Sequence, residues 1–276
     1  MKKIAVVQIA LGEQYYDFWL QSINRNKRHF FLNENVDFFL FTNYKKFAKS
    51  IDSVFVEEVE EEKWPFINYL KYLYLLKVLE KFQSYDYIFY LDSDNVIESP
   101  VPKEILEKEL VMLRATSWGA KYAGCFFGGE ISKVKLFCEY IKPEIEKIFN
   151  AESFPAREND ESLLEKVDDL PINVFLYNFD SVFSWFIHGN KFSEKWISQY
   201  EKDFVKSHNY NTYWKFRKLE GNCIFDLKRK LVSVFDWKSY SHYGRLIYMK
   251  DNEYLIRWEN PSFGEDKIYL KNENRD

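Results

Sequence analysis

Short apolar runs alternate with longer stretches of helical period through the first two thirds of the chain, the pattern of a mostly parallel sheet covered by helices. The runs that predict strands are residues 4–9, 36–41, 54–59, 87–91, 110–113 and 123–127. Between the third and fourth, Tyr69, Leu70, Leu73, Leu76, Val78 and Leu79 form a helical stripe that opens just after Pro65, a residue suited to a helix entrance. Past about Asn190 the chain turns aromatic and basic and ends in an expected hairpin, with arms 245–250 and 253–258 around Asp251-Asn252. The expectation is one α/β domain over residues 1–190 and an extension over 191–276 packed on it, within the size one core sustains.

Composition narrows what such a chain can do. Hydrophobic residues make up 46% and aromatics 20%, which excludes disorder. The 39 basic and 43 acidic residues are well mixed, so no basic footprint for nucleic acid exists. Cys125, Cys138 and Cys223 are an odd set without metal-ligand spacing, which suits a reducing compartment, and a cytoplasmic location is expected. The start of the chain imitates a signal peptide, but Gln8 interrupts its apolar run and no small-residue cleavage site precedes the aromatic segment from Tyr15 to Trp19. No apolar run reaches the ~18 residues of a membrane-spanning helix, so any membrane association is expected to be peripheral.

Candidate chemistry is concentrated in three segments. The run Tyr87-Ile88-Phe89-Tyr90-Leu91 ends in Asp92-Ser93-Asp94. Two carboxylates one residue apart, beyond the carboxyl end of a buried strand, stand where open α/β sheets bind ligands. They are hard oxygen ligands suited to Mn²⁺ or Mg²⁺ shared with phosphate oxygens. The competing reading, acids that solvate a turn, is outweighed by the apolar strand before them. The second segment, from Lys121 to Glu130, carries Gly124, Gly128 and Gly129. These glycines allow close approach by a ligand, and for Gly128-Gly129 a plain turn explains them equally well. The third, Glu158-Asn159-Asp160-Glu161, places acids at a helix start, where stabilisation by the helix dipole is as good an explanation as chemistry.

In this order, together with Trp64-Pro65, Lys71-Tyr72 and Phe126-Phe127-Gly128-Gly129, these segments resemble glycosyltransferase family 6, the blood-group A/B and α-1,3-galactosyltransferase family, in its short bacterial form. The resemblance covers roughly residues 4–180. It implies a GT-A fold (a single Rossmann-like, mixed sheet), a UDP-galactose or UDP-N-acetylgalactosamine donor, and transfer with retention to the 3-position of an acceptor sugar. It further implies that Asp92 and Asp94 hold the metal and that Lys71, where the family has arginine, lies near the donor. By the same resemblance Ala10 and Tyr15 meet the uridine, Asp160 holds the donor sugar, and Glu161 stands beside the anomeric carbon. Ala123 and Cys125, flanking Gly124, match the positions that sort galactose from its N-acetyl form. Two departures stand out: the interval from Asp94 to Tyr122 is shorter than the family's, and Asn159 replaces a histidine.

The segment from Trp185 to Lys191 loosely resembles the His-x-x-Gly-x-x-Lys motif of glycosyltransferase family 8, which implies His188 as a third metal ligand and Lys191 on the diphosphate. A structural histidine is the competing reading. The expected function is a metal-dependent retaining hexosyltransferase acting on an oligosaccharide or lipid-linked glycan of a bacterial surface. The alternatives are a family-8-like UDP-glucose or UDP-galactose transferase and a non-catalytic carbohydrate-binding protein on a transferase scaffold.

Overall fold

Every apolar run that predicts a strand in the first two thirds of the chain forms one. The computed structural model describes residues 1–31, 33–44, 51–62, 65–81, 84–97, 99–114, 121–150, 152, 160–177, 183–185, 212–215, 220–236, 240–250 and 253–269. They fall into two compact units, Met1–Glu146 with Asn159–Gln199, and Lys147–Glu158 with Tyr200–Asp276.

The first unit is an α/β fold. Its strands are β1 (Lys3–Ala10), β2 (Asn35–Thr42), β3 (Val54–Glu58), β4 (Tyr87–Leu91), β5 (Asn95–Ile97), β6 (Leu110–Arg114), β7 (Tyr122–Glu130), β8 (Val174–Tyr177) and β9 (Phe183–Trp185). The helices are α1 (Glu13–His29), α2 (Ile67–Lys81), α3 (Ile131–Phe149) and the single turn α4 (Glu161–Leu164). Seven strands make one mixed sheet in the order β3-β2-β1-β4-β7-β6-β8, and β5 pairs separately with β9. All neighbours in the large sheet are parallel except that β7 runs against both β4 and β6.

Alternation along the strands divides the core between two layers of helix. Ile4, Val6, Phe89, Leu91 and Phe126 face α1 and join Tyr16, Trp19 and Ile23 in one buried cluster. On the opposite face Phe127 meets Tyr72 of α2 at 5.5 Å and Phe137 of α3 at 6.4 Å between ring centroids. Gln8, the polar interruption in β1, is buried and accepts a 3.1 Å hydrogen bond from Trp19 Nε1, so it ties α1 to the sheet. Helices on both faces of a largely parallel sheet are the arrangement that its near-continuous apolar strands require.

Neither expected role of Gly128 and Gly129 is found. Both lie inside β7, where the reversed strand is squeezed between its neighbours. A Cβ on Gly128 would stand 2.3 Å from the Ile88 carbonyl oxygen, and one on Gly129 2.3 Å from that of Glu109. The glycines therefore serve close backbone packing, not a turn or a ligand.

The second unit holds a six-stranded antiparallel meander, β10 (Thr212–Lys215), β11 (Glu220–Asp226), β12 (Leu231–Asp236), β13 (Tyr240–Lys250), β14 (Glu253–Trp258) and β15 (Glu265–Tyr269), with strands in sequence order. Cys223, Phe225, Val232, Val234, Leu246, Ile256, Trp258 and Ile268 form its core. The expected hairpin is β13 and β14, with β13 beginning at Tyr240, and its turn Asp251-Asn252 lies outside the described residues. Among the described residues no helix is long and apolar enough to cross a membrane.

Gly129→Ala is expected to destabilise the protein by roughly 1–3 kcal/mol, because the clashing atoms are backbone and cannot swing aside. Urea denaturation measures this, and an unchanged midpoint would contradict the packing role.

Candidate functional site

All five residues of β4 are buried, and at its carboxyl end the chain leaves the sheet in a tight turn. Asp92 N donates to Cys125 O at 2.9 Å and Asn95 N donates to Asp92 O at 3.1 Å. The turn lies beside the junction of β1 and β4, where the strand order changes direction. In open α/β sheets that switch point is the ligand-binding crevice.

Strand periodicity puts Tyr90 on the same side as Asp92, and Tyr90 Oη donates to Asp92 Oδ1 at 2.5 Å. Burial drives the Asp92 carboxyl above its ordinary range, against the opposing pull of the Lys71 ammonium and the Tyr90 hydroxyl. Asp94 is pushed up to about 7, first by burial and then by repulsion from Asp92. Burial, followed by Asp92, also lifts the Tyr90 phenol well above its usual value.

Lys71 comes from the middle of α2 and is only 3% exposed. Its Nζ donates to Gly124 O at 2.7 Å, pairs with Asp160 Oδ2 at 2.6 Å and lies 4.9 Å from the centre of the Tyr90 ring. Burial alone would lower its pKa, but Asp160 and Asp92 outweigh that and raise it. Gly124 is the one glycine of its segment whose missing side chain the site requires: a Cβ there would stand 2.4 Å from Asp160 Oδ2 and 3.0 Å from Lys71 Nζ.

Asp160 precedes α4 in helical backbone geometry and makes no side-chain capping bond. Its carboxylate faces Lys71, and its carbonyl accepts from Tyr72 Oη at 3.1 Å. Helix capping therefore does not account for it. Glu161 is half-buried, and its carboxyl is pushed up to about 7 by burial and then by Asp160, against the opposing pull of Lys71 and the Gly124 backbone.

The structure thus gathers Lys71, Asp92, Asp94, Gly124, Cys125, Asp160 and Glu161 into one neighbourhood. Cys125 is buried, and burial with Asp92 drives its thiol well up. Ala123 is half-buried against the α1-side core. Ala10 closes β1, fully buried, and Tyr15 lies half-buried on α1 with its ring edge-on to Phe18 at 6.1 Å. His188 and Lys191, with Trp64 and Asn159, lie outside the described residues. Tyr90 and Tyr72 are absent from the sequence-based candidates. The signal for Tyr90 was its place two residues before Asp92 on one strand face. Tyr72 had only its adjacency to Lys71.

Among the described residues four carboxylates, Asp92, Asp94, Asp160 and Glu161, interact across one cluster with a single cation, Lys71. Among those residues no group of three or more His, Cys, Asp or Glu is arranged to hold a metal ion. Asp92 and Asp94 nevertheless fit a hard divalent cation that completes its shell with phosphate oxygens and water, since their oxygens are the right donors, they are half-exposed, and the carboxylates around them outnumber the cation Lys71. No family model matches the chain, and no curated protein matches it.

Two outcomes are expected. Lys71→Met strands the buried Asp160 carboxylate and should cost about 3–5 kcal/mol, most of it recovered by adding Asp160→Asn. Additive losses in urea titrations would contradict the pairing. Asp94 and Glu161 bind protons in the folded state up to about pH 7 but release them near pH ~4 when unfolded. Their contribution to stability is thus present below pH ~4 and lost as pH rises towards 7. Asp94→Asn should flatten that decline in melting temperature, and an identical slope in the variant would count against the burial of Asp94.

Proposed function

We propose that the protein is a cation-dependent glycosyltransferase of GT-A architecture that takes a hexose from a UDP-sugar and transfers it with retention to an acceptor sugar. The observation that carries this reading is the gathering of four carboxylates, three of them half-buried and Asp160 buried, about the cation Lys71 beyond β4, at the switch point of the sheet. Such a place suits a ligand that arrives with its own counter-cation, as a nucleoside diphosphate does. The donor class, galactose or N-acetylgalactosamine, rests on the family resemblance of Ala123, Gly124 and Cys125. The acceptor is proposed to be a bacterial surface glycan, reached in the cytoplasm or at the inner face of the membrane.

Asp92 and Asp94 would hold Mn²⁺ or Mg²⁺, and the chemistry that ion supplies when bound is Lewis-acid stabilisation of the departing diphosphate. Tyr90 fixes the Asp92 carboxylate by its 2.5 Å hydrogen bond, so one oxygen is oriented before any ligand arrives. Lys71, committed to Asp160 and to the Gly124 carbonyl, balances charge inside the protein and holds Asp160 in place. Glu161, next to Asp160 in the chain and half-buried, is the carboxylate available to stabilise positive charge developing at the anomeric carbon. Approaching positive charge favours the ionised form of Glu161, and the proton it holds at rest passes to water at its exposed side.

The test is turnover of UDP-galactose and UDP-N-acetylgalactosamine by the purified protein with and without Mn²⁺. Glu161→Gln is expected to lower turnover by ~10² or more while donor affinity and melting temperature stay unchanged. Asp94→Asn should weaken Mn²⁺-dependent UDP binding. Metal-stimulated turnover that survives both substitutions would sink the proposal.

A further inference from the structure

Two asparagines that the site's chemistry leaves unused are fully buried, Asn26 on α1 and Asn95 at the start of β5. A buried amide is costly unless it is hydrogen-bonded; Asn26 is bonded to the backbone around the acidic turn through both ends of its amide, and Asn95 through its Nδ2, while its Oδ1 has no partner among the described residues. Asn26 Nδ2 donates to the Asn95 carbonyl at 3.1 Å, and Asn26 Oδ1 accepts from Ile97 N at 2.8 Å. Asn95 Nδ2 donates to Cys125 O at 3.2 Å, the same carbonyl that accepts from Asp92 N at 2.9 Å. Asn95 N closes the turn onto Asp92 O at 3.1 Å.

The acidic pair is therefore held at both ends. Cys125 O receives two bonds, one from each side of the turn, which fixes Asp92 and Asn95 against β7. Asn26 grips the chain beyond, on two successive polar groups of β5, and anchors it to a helix that itself packs on the sheet. An aliphatic side chain could fill either position but could make none of the three bonds that use an amide. Asn26 reaches a segment 69 residues away with both ends of its amide, so neither end is free to serve helix α1.

We propose that Asn26 and Asn95 are positioning residues that hold Asp92 and Asp94 in the spacing and orientation a cation-bound diphosphate needs. The inference rests on the functional reading above and deepens it. Ser22 provides the control: it is equally buried on α1, but among the described residues its hydroxyl bonds only to Trp19 O of its own helix, at 3.1 Å.

Asn26→Ala, Asn95→Ala and Ser22→Ala are compared with the wild-type chain in Mn²⁺·UDP binding by calorimetry, in melting temperature, and in hydrogen exchange of the amides of residues 92–97. Asn26→Ser, a smaller change that keeps a hydroxyl, is added in case Asn26→Ala does not fold. The expected result is Mn²⁺·UDP affinity weaker by about 10-fold or more in the asparagine variants, the range for partners that orient metal ligands, with faster exchange confined to residues 92–97. Ser22→Ala should bind as wild type does. Wild-type binding with unchanged affinity in folded asparagine variants would overturn the inference alone. Failure of every asparagine variant to fold, with Ser22→Ala folded, would assign the pair to stability and overturn it too. Absence of Mn²⁺·UDP binding in the wild-type chain would sink the functional reading and this inference together.

Discussion

The ion pair between Lys71 and Asp160, closed over Gly124, is the contact on which the site depends. A lysine and an aspartate this buried have left water at a cost of several kcal/mol each, which only a short contact and further hydrogen bonds can offset. Both conditions hold: the separation is 2.6 Å, and Lys71 also bonds to the Gly124 carbonyl. The pair joins three elements distant in sequence, α2, β7 and the turn before α4. It places Glu161, the next residue, close enough for Asp160 and Lys71 to act on its carboxyl. Tyr72, beside Lys71 on α2, secures the same turn through the Asp160 carbonyl. Without the glycine a Cβ would occupy the space the Asp160 carboxylate needs.

The sheet explains why these groups meet. A strand order that changes direction between β1 and β4 leaves the carboxyl end of β4 open, and the reversed strand β7 brings its amino-terminal half alongside. Asp92 and Asp94 leave β4 just where Gly124 and Cys125 enter the sheet. Had β7 run parallel, its carboxyl end would lie there instead, and Gly128 and Gly129 would face the acidic turn. Those two glycines are required for a different reason, the tight approach of β7 to β4 and β6.

Local pattern made part of this visible beforehand. Strands β1, β2, β3, β4, β6 and β7 were legible as apolar runs, and the α2 stripe after Pro65 as a helix, because period and composition are local properties; the four-residue parallel strand β8 was not. The acidic pair was legible as a candidate because it directly follows a fully apolar strand. Gly128 and Gly129 were not, since a glycine in sequence does not say whether a turn, a ligand or a neighbouring backbone needs the space. Strands β11, β12 and β15 were hidden because only one or two core positions in each mark the inward face: Cys223 and Phe225, Val232 and Val234, and Ile268. Asn26 was illegible for a related reason: an asparagine inside a helix reads as a surface residue until the segment it bonds, far along the chain, is placed beside it.

The central claim is that Asp92 and Asp94 hold a divalent cation against a diphosphate. The most direct measurement is an anomalous difference map at the manganese absorption edge, from crystals grown with MnCl₂ and UDP. The expected result is a single strong peak within coordination distance of the Asp92 and Asp94 carboxylates, with the diphosphate of UDP on its open side. An ordered UDP with no peak beside these residues, or a manganese ion held elsewhere in the chain, would contradict it.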